Sequence, residues 1–243
     1  MLSSFYLDPY AVTGPGWESL LVLAAVAYFC GCFNGAVIVS KYILRDDVRS
    51  HGSGNAGLTN FYRTFGGPLT AVVILTDVLK AVVAVRFGSW YLGYFCGRWG
   101  YAASLNISGM WSLFGKYWAG LFCLLGHMFP CMFHFKGGKG ILSGGVLVWM
   151  LDWRIALVSW SLFLLLWLLT RYVSLGSVVG TASMPFTAFF VFDHDPLLTA
   201  LCALVAALVI YCHRENIRRL LKGTEHKFRW HVNPINPDES DSE

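Results

Sequence analysis

Charge is what this chain has least of. Of its 243 residues, 18 are Lys or Arg and 14 are Asp or Glu, together 13%, whereas 56% are hydrophobic and the mean hydropathy is +0.56. That mix excludes an ordinary soluble domain and points to an integral membrane protein. A cysteine framework is also missing. The seven cysteines, at 30, 32, 96, 123, 131, 202 and 212, form no Cys-x-x-Cys pair, and their odd number argues against a disulfide set, so they are read as apolar filler. Neither His-x-x-x-His nor His-Glu-x-x-His occurs, which removes the common zinc patterns, and no metal or other cofactor is expected. The N-terminus lacks a basic stretch and a small-residue cleavage site, so the first apolar run is expected to remain in the mature chain. There is no internal repeat and no long linker. One membrane-embedded domain is expected over residues 1–243, with 231–243 a disordered tail.

What the chain does have is long apolar runs. Six windows, at about 19–39, 67–85, 116–133, 154–170, 173–192 and 197–212, approach the ~20 residues needed to cross a hydrocarbon core of ~30 Å. A seventh window, about 140–152, is short. Basic residues near span ends gather on the cytoplasmic side, and this bias discriminates between six spans and seven. With seven, one face carries Lys41, Arg45, Arg49, Arg63, Lys136, Lys139, Arg171, Arg214, Arg218, Arg219, Lys222, Lys227 and Arg229, and the other only Arg86, Arg98, Lys116 and Arg154. Thirteen against four predicts an all-α protein of about seven transmembrane helices, N-terminus outside and C-terminus in the cytoplasm. Residues 86–115, rich in Trp, Tyr, Phe and Gly, are expected at the outer face, with an interfacial or re-entrant helix around Trp90 to Trp111.

The same topology brings every glycine-rich or basic stretch to one face. In Arg49–Arg63, Gly52, Gly54 and Gly57 can bring main-chain N–H groups close to an oxyanion, while Arg49 and Arg63 offer permanently charged forked donors. Phe135-Lys-Gly-Gly-Lys-Gly140 repeats the device with Lys136, Gly137, Gly138 and Lys139. Ser53 supplies a neutral donor, and Asn55, Thr59 and Asn60 fix loop shape or read hydroxyl groups. His213 and Asn216 lie three residues apart and face one way on a helix, with Glu215 pointing elsewhere. Arg218, Arg219 and Lys222 are assigned to anionic lipid headgroups. Asp77 and Lys80, at i and i+3 inside the second span, are read as a neutralising pair. Polar groups collected beside lipid mark a site, and this chemistry points to phosphate.

These stretches resemble one family. Asp47-Val-Arg49 with Gly52 to Asn60 and Arg63, Gly126-His-Met-Phe-Pro130 with Phe135 to Gly140, Arg171 to Ser177, and His213 to Gly223 with Glu225 are similar to the sequence blocks of the bacterial acyl-phosphate:glycerol-3-phosphate acyltransferases of the PlsY type. The resemblance implies seven membrane helices with a cytoplasmic active site in the bacterial plasma membrane. It implies transfer of a fatty acyl group from acyl phosphate to the 1-hydroxyl of sn-glycerol 3-phosphate, giving lysophosphatidic acid and phosphate, the first acylation of bacterial phospholipid synthesis. Carried over by position, Arg49, Lys136 or Lys139, and Ser174 hold phosphate groups. His213 and Asn216 place the glycerol phosphate, and Glu215 and the glycine loop shape the pocket. Membrane lipid and the soluble enzyme supplying acyl phosphate are the partners so implied, and nucleic acid is not. The chain departs from the family at Cys32-Phe-Asn-Gly35, where a Ser-Ile-Pro-like stretch is usual, so neither a hydroxyl at Cys32 nor a proline kink at Asn34 is expected.

No His is followed five positions later by Asp, so the His-x4-Asp acid–base pair of the other large glycerolipid acyltransferase class is absent. The donor's own phosphate is then expected to take the hydroxyl proton, with the protein supplying position and charge. A thioester donor remains open on sequence alone. A transporter of a phosphorylated solute is disfavoured by the one-sided charge and the lack of an inverted repeat.

Overall fold

The computed structural model describes residues 16–98 and 105–228, and every regular element among them is helical. In chain order these are α1 (Trp17–Cys32), α2 (Gly35–Ile38), which continues through a π turn at Val39–Ile43, α3 (Leu58–Phe65), α4 (Leu69–Arg98), α5 (Leu105–Met128), α6 (Ile141–Leu151), α7 (Trp153–Thr170), α8 (Val173–Val191), α9 (Pro196–Cys212) and α10 (Arg214–Leu221). Each of the seven apolar windows falls on one of these helices or on the α1–α2 pair. Arg229 and the expected tail lie outside the described residues.

By length and composition, α7 and α8 are each sufficient to cross a membrane among the described residues. Two bent pairs, α1 with α2 (42°) and α9 with α10 (61°), also meet that condition when joined. Helix α4 has 30 residues but carries Asp77 and Lys80 in its apolar half. Helix α6 has 11 residues and rises only about 16 Å.

The bend after α1 needs no proline. Asn34, 1% exposed, caps α2 by accepting from the Val37 N–H (3.1 Å) and donates to the Ala56 carbonyl (3.0 Å). The carbonyl of Phe33, freed by the break, accepts from Lys80 Nζ at 3.0 Å. Lys80 also lies 2.7 Å from Asp77 Oδ1 and 2.6 Å from His127 Nδ1, all three side chains being buried. An ammonium only donates, so Nδ1 of His127 must accept, which fixes this histidine as neutral with its proton on Nε2. The expected Asp77–Lys80 pair is therefore present, with two further partners that join α1, α4 and α5.

Residues 86–115 do not form an interfacial loop where they are described. Helix α4 continues to Arg98 and α5 begins at Leu105, and the two pack side by side. The reason is steric. A Cβ placed on Gly88 would stand 2.4 Å from the Gly115 carbonyl oxygen, and one on Gly115 2.2 Å from that of Gly88, so the two backbones meet as only small residues allow. Ser89 and Ser112 hydrogen-bond at 2.6 Å beside them. Aromatic residues here stack along the helices at i and i+4, Phe87 on Tyr91 (5.5 Å) and Phe114 on Trp118 (5.7 Å).

Replacing Gly115 by Ala should lower the thermal unfolding temperature in detergent, with a loss of about 1–3 kcal/mol from overpacking. Gly109→Ala, on the same helix with no atom within 4 Å of the added methyl, should be neutral or slightly stabilising.

Candidate functional site

Two loops meet at one end of the bundle. The first, between α2 and α3, turns through Gly52 (φ +54°) and Gly54 (φ +67°), conformations that glycine adopts without strain. Asn60, 3% exposed, holds it from within: Oδ1 accepts from the Ser53 N–H (3.0 Å), while Nδ2 donates to the carbonyls of Val48 (2.9 Å) and His51 (3.0 Å). Helix α3 seats the loop, since Phe61 is fully buried against Val39, Val48 and Val73. Arg49 is committed. Its Nε and Nη2 donate to the Asp47 carboxylate (2.9 and 2.7 Å), and Nη1 donates to the carbonyls of Phe133 (2.9 Å) and Lys136 (3.3 Å). The bidentate bond holds the Asp47 carboxyl below its usual range and raises the arginine. Arg49 thus clasps the first loop to the second.

The second loop lies against the end of α5. Gly137 and Gly138 donate their N–H groups to the carbonyls of Met128 and His127, both at 3.1 Å. A Cβ on Gly137 would fall 2.0 Å from the His127 oxygen, so these glycines serve close packing, and their N–H groups are already used. Of the loop glycines expected to cradle an anion, Gly57 and Gly140 line the cavity, whereas Gly52, Gly54, Gly137 and Gly138 do not, and the Gly54 N–H donates to the His51 carbonyl.

A cavity of about 320 Å³ opens beneath these loops. Ser53, Asn55, Thr59 and Asn60 reach it from the first loop, and Lys139, Ser174, His213 and Asn216 from the other elements. Arg49, Lys136 and Glu215 do not line it. Lys136 is exposed, and Glu215 points outward to pair with Arg218 at 3.0 Å. Between the two candidate lysines, the structure places Lys139 in the cavity.

The polar end is organised by a carboxylate that the sequence reading named only within a motif. Glu225 accepts from Ser174 Oγ, Asn216 Nδ2 and Arg219 Nε, each at 2.7 Å. Burial pushes its pKa up, but these three donors outweigh burial and hold the carboxyl below its usual range. Asn216 in turn accepts from Lys139 Nζ through Oδ1. Arg63 and Arg219 also line the cavity, so Arg219 belongs to this cluster, contrary to its assignment to lipid headgroups. A signal existed in the spacing, since His213, Asn216 and Arg219 recur every three residues and share a face. The chain after α10 turns back to deliver Glu225: the Phe228 N–H donates to the Arg171 carbonyl (2.8 Å), and Phe228 packs edge-on against Trp167 (5.6 Å).

His213, 3% exposed, has Nδ1 at 2.8 Å from the Val209 carbonyl. A carbonyl only accepts, so Nδ1 carries the proton and Nε2 of the neutral ring is left as an acceptor. Burial, followed by the field of Arg219, lowers Lys139 to about 8. Away from these groups the cavity is mostly apolar, running between α5, α6, α7, α8 and α9 past Leu124, Leu147, Trp160 and Met184, with Asp77, His127, Ser159, Ser177 and Thr181 as the polar residues along it.

The cavity thus joins a cationic polar end to a mostly apolar shaft inside a helical bundle. The sequence model of the family described as glycerol-3-phosphate acyltransferase matches residues 21–223. The glycerol-3-phosphate acyltransferase of Clostridioides difficile (strain 630) is 39% identical over 209 residues, covering 86% of this chain and 95% of that one. That of Thermoanaerobacter pseudethanolicus (strain ATCC 33223 / 39E) is 35% identical over 207 residues, covering 85% and 94%. The crystal structure of PlsY (YgiH), an integral membrane glycerol 3-phosphate acyltransferase in its glycerol 3-phosphate form, aligns with a TM-score of 0.71 at 33% identity, over 87% of this chain and 96% of that one. Its lysophosphatidic acid form aligns at 0.68. The chain belongs to the glycerol-3-phosphate acyltransferase family.

Lys139 is charged below about 8 and neutral above it, whereas Arg63 and Arg219 keep their charge. Inorganic phosphate should therefore bind more weakly as the pH is raised through about 8. Titration calorimetry of the purified protein should show that inflection, and Lys139→Met should bind more weakly throughout without it.

Proposed function

We propose that the protein transfers a fatty acyl group from acyl phosphate to the 1-hydroxyl of sn-glycerol 3-phosphate, releasing lysophosphatidic acid and phosphate. One observation carries this reading: Lys139, Arg63 and Arg219 gather at one end of a cavity whose deeper wall is mostly apolar. Phosphate groups suit the first part and a fatty acyl chain the second. Seven helices cross the bacterial plasma membrane, with the N-terminus outside and this mouth facing the cytoplasm. The basic-residue bias of thirteen to four supports that topology. A soluble enzyme that makes acyl phosphate is the partner such a mouth requires.

The chemistry follows from the donor groups present. The glycerol hydroxyl oxygen attacks the acyl carbonyl carbon, the bond from that carbon to the phosphate oxygen breaks, and the hydroxyl proton passes to the departing phosphate. Lys139, Arg63 and Arg219 stabilise charge on the phosphates, with Ser174 alongside. Asn216 and the free Nε2 of His213 orient the acceptor. Positioning of this kind accounts for ~7–11 kcal/mol of barrier in favourable cases, so no separate protein base is needed. Glu225 sets the cluster by fixing Ser174, Asn216 and Arg219 at once.

Purified protein given labelled glycerol 3-phosphate should form lysophosphatidic acid with palmitoyl phosphate, and none with palmitoyl coenzyme A or without donor. Lack of product with palmitoyl phosphate from folded protein would sink the proposal, and turnover with the thioester would reassign the donor. His213→Gln should retain measurable turnover with its pH profile unchanged. Complete loss of activity together with loss of a limb near an imidazole pKa of about 6.5 would instead make His213 an obligatory base.

A further inference from the structure

The cavity is deeper than a phosphate needs, and its depth is defined. Three helices each contribute one residue near its polar mouth and another far below: Ser174 and Met184 on α8, His127 and Tyr117 on α5, His213 and Cys202 on α9. Ten or eleven positions separate the members of each pair, His213 being the residue that ends α9, which is about 15–17 Å of rise. The lower three therefore lie at a common level, roughly halfway through a hydrocarbon core of ~30 Å. Beneath them the interior is filled. The Tyr117 ring packs edge-on against Phe192 at 5.9 Å, and Tyr117, Met184 and Cys202 belong to one packed cluster with Ala188, Leu198 and Leu201.

Tyr117 itself is only 3% exposed, and its hydroxyl is turned to the Cys202 thiol, with no oxygen or nitrogen partner among the described residues. Here the side chain borders the open volume, and its placement is that of a wall facing a ligand.

We propose that Tyr117, with Met184 and Cys202 beside it, is the floor that gauges the length of the acyl chain. This rests on the acyltransferase reading given above. An all-trans chain advances roughly 1.3 Å for each carbon–carbon bond of about 1.52 Å, so about twelve carbons reach from mouth to floor. Longer chains must bend against the tyrosine ring. The ring, rather than its hydroxyl, is the stop.

Initial rates with dodecanoyl, tetradecanoyl, hexadecanoyl and octadecanoyl phosphates test this in matched detergent. In the unaltered protein the rate should fall beyond the length that reaches the floor. Tyr117→Ala should raise the hexadecanoyl-to-dodecanoyl ratio about tenfold, the lower end of what a few methylenes contribute in an apolar pocket. Tyr117→Phe should leave that ratio within about twofold, because the ring remains. Met184→Ala, at the same depth, should shift it in the same direction as Tyr117→Ala and serves if the larger deletion does not fold. An unchanged ratio in folded Met184→Ala and Tyr117→Ala overturns the floor while leaving the acyltransferase reading intact. No product from any acyl phosphate in the unaltered protein overturns that reading and the floor with it.

Discussion

The buried ammonium of Lys80 is the contact on which the site-bearing end of the bundle depends. A lone charge inside an apolar interior costs several kcal/mol, and here it is met on three sides by Asp77, the Phe33 carbonyl and His127. Each partner belongs to a different feature. Asp77 is on α4 itself, Phe33 marks the break between α1 and α2, and His127 lies in the last turn of α5, where the second loop attaches. The break lets the first loop leave the bundle at an angle, and Asn34 fastens that departure to Ala56. Removal of any one partner leaves the charge under-satisfied, so helix crossing, bend and loop are held jointly.

Above this anchor, polar residues divide between those that build loops and those that face the cavity. Arg49, Asp47, Asn60 and the glycines spend their hydrogen bonds on the chain itself. Lys139, Ser174, Asn216, Arg219 and Glu225 form a connected set in the cavity wall. Low polarity around such a set strengthens each hydrogen bond, and Glu225, with three donors, is the carboxylate in this set that offsets the neighbouring cations.

Much of the helical framework was legible because long apolar runs report directly on helices. The α1–α2 bend was not, since the sequence offers no proline there and the cap depends on Asn34 meeting Ala56 from a distant loop. The separate interfacial helix expected around Trp90 to Trp111 is replaced by the ends of α4 and α5, whose close approach at Gly88 and Gly115 the aromatic content of 86–115 does not reveal. The phosphate-type chemistry of the site was visible in residue types. The choice of Lys139 over Lys136, and the inward turn of Arg219, depend on which side of a loop or helix is covered, which spacing resolves only in part. Glu225 lay beyond the last helix, where nothing in its neighbours marks it as interior.

That late position has a consequence for how the molecule comes into being. Ser53 and Arg63 are made early, and the carboxylate that gathers Ser174, Asn216 and Arg219 is placed only when the chain following α10 has folded back against Arg171. During synthesis the helices can therefore enter the membrane and pack while the site is still unfinished. The polar end of the cavity is thus closed by the segment after α10, which is made only after every helix of the bundle.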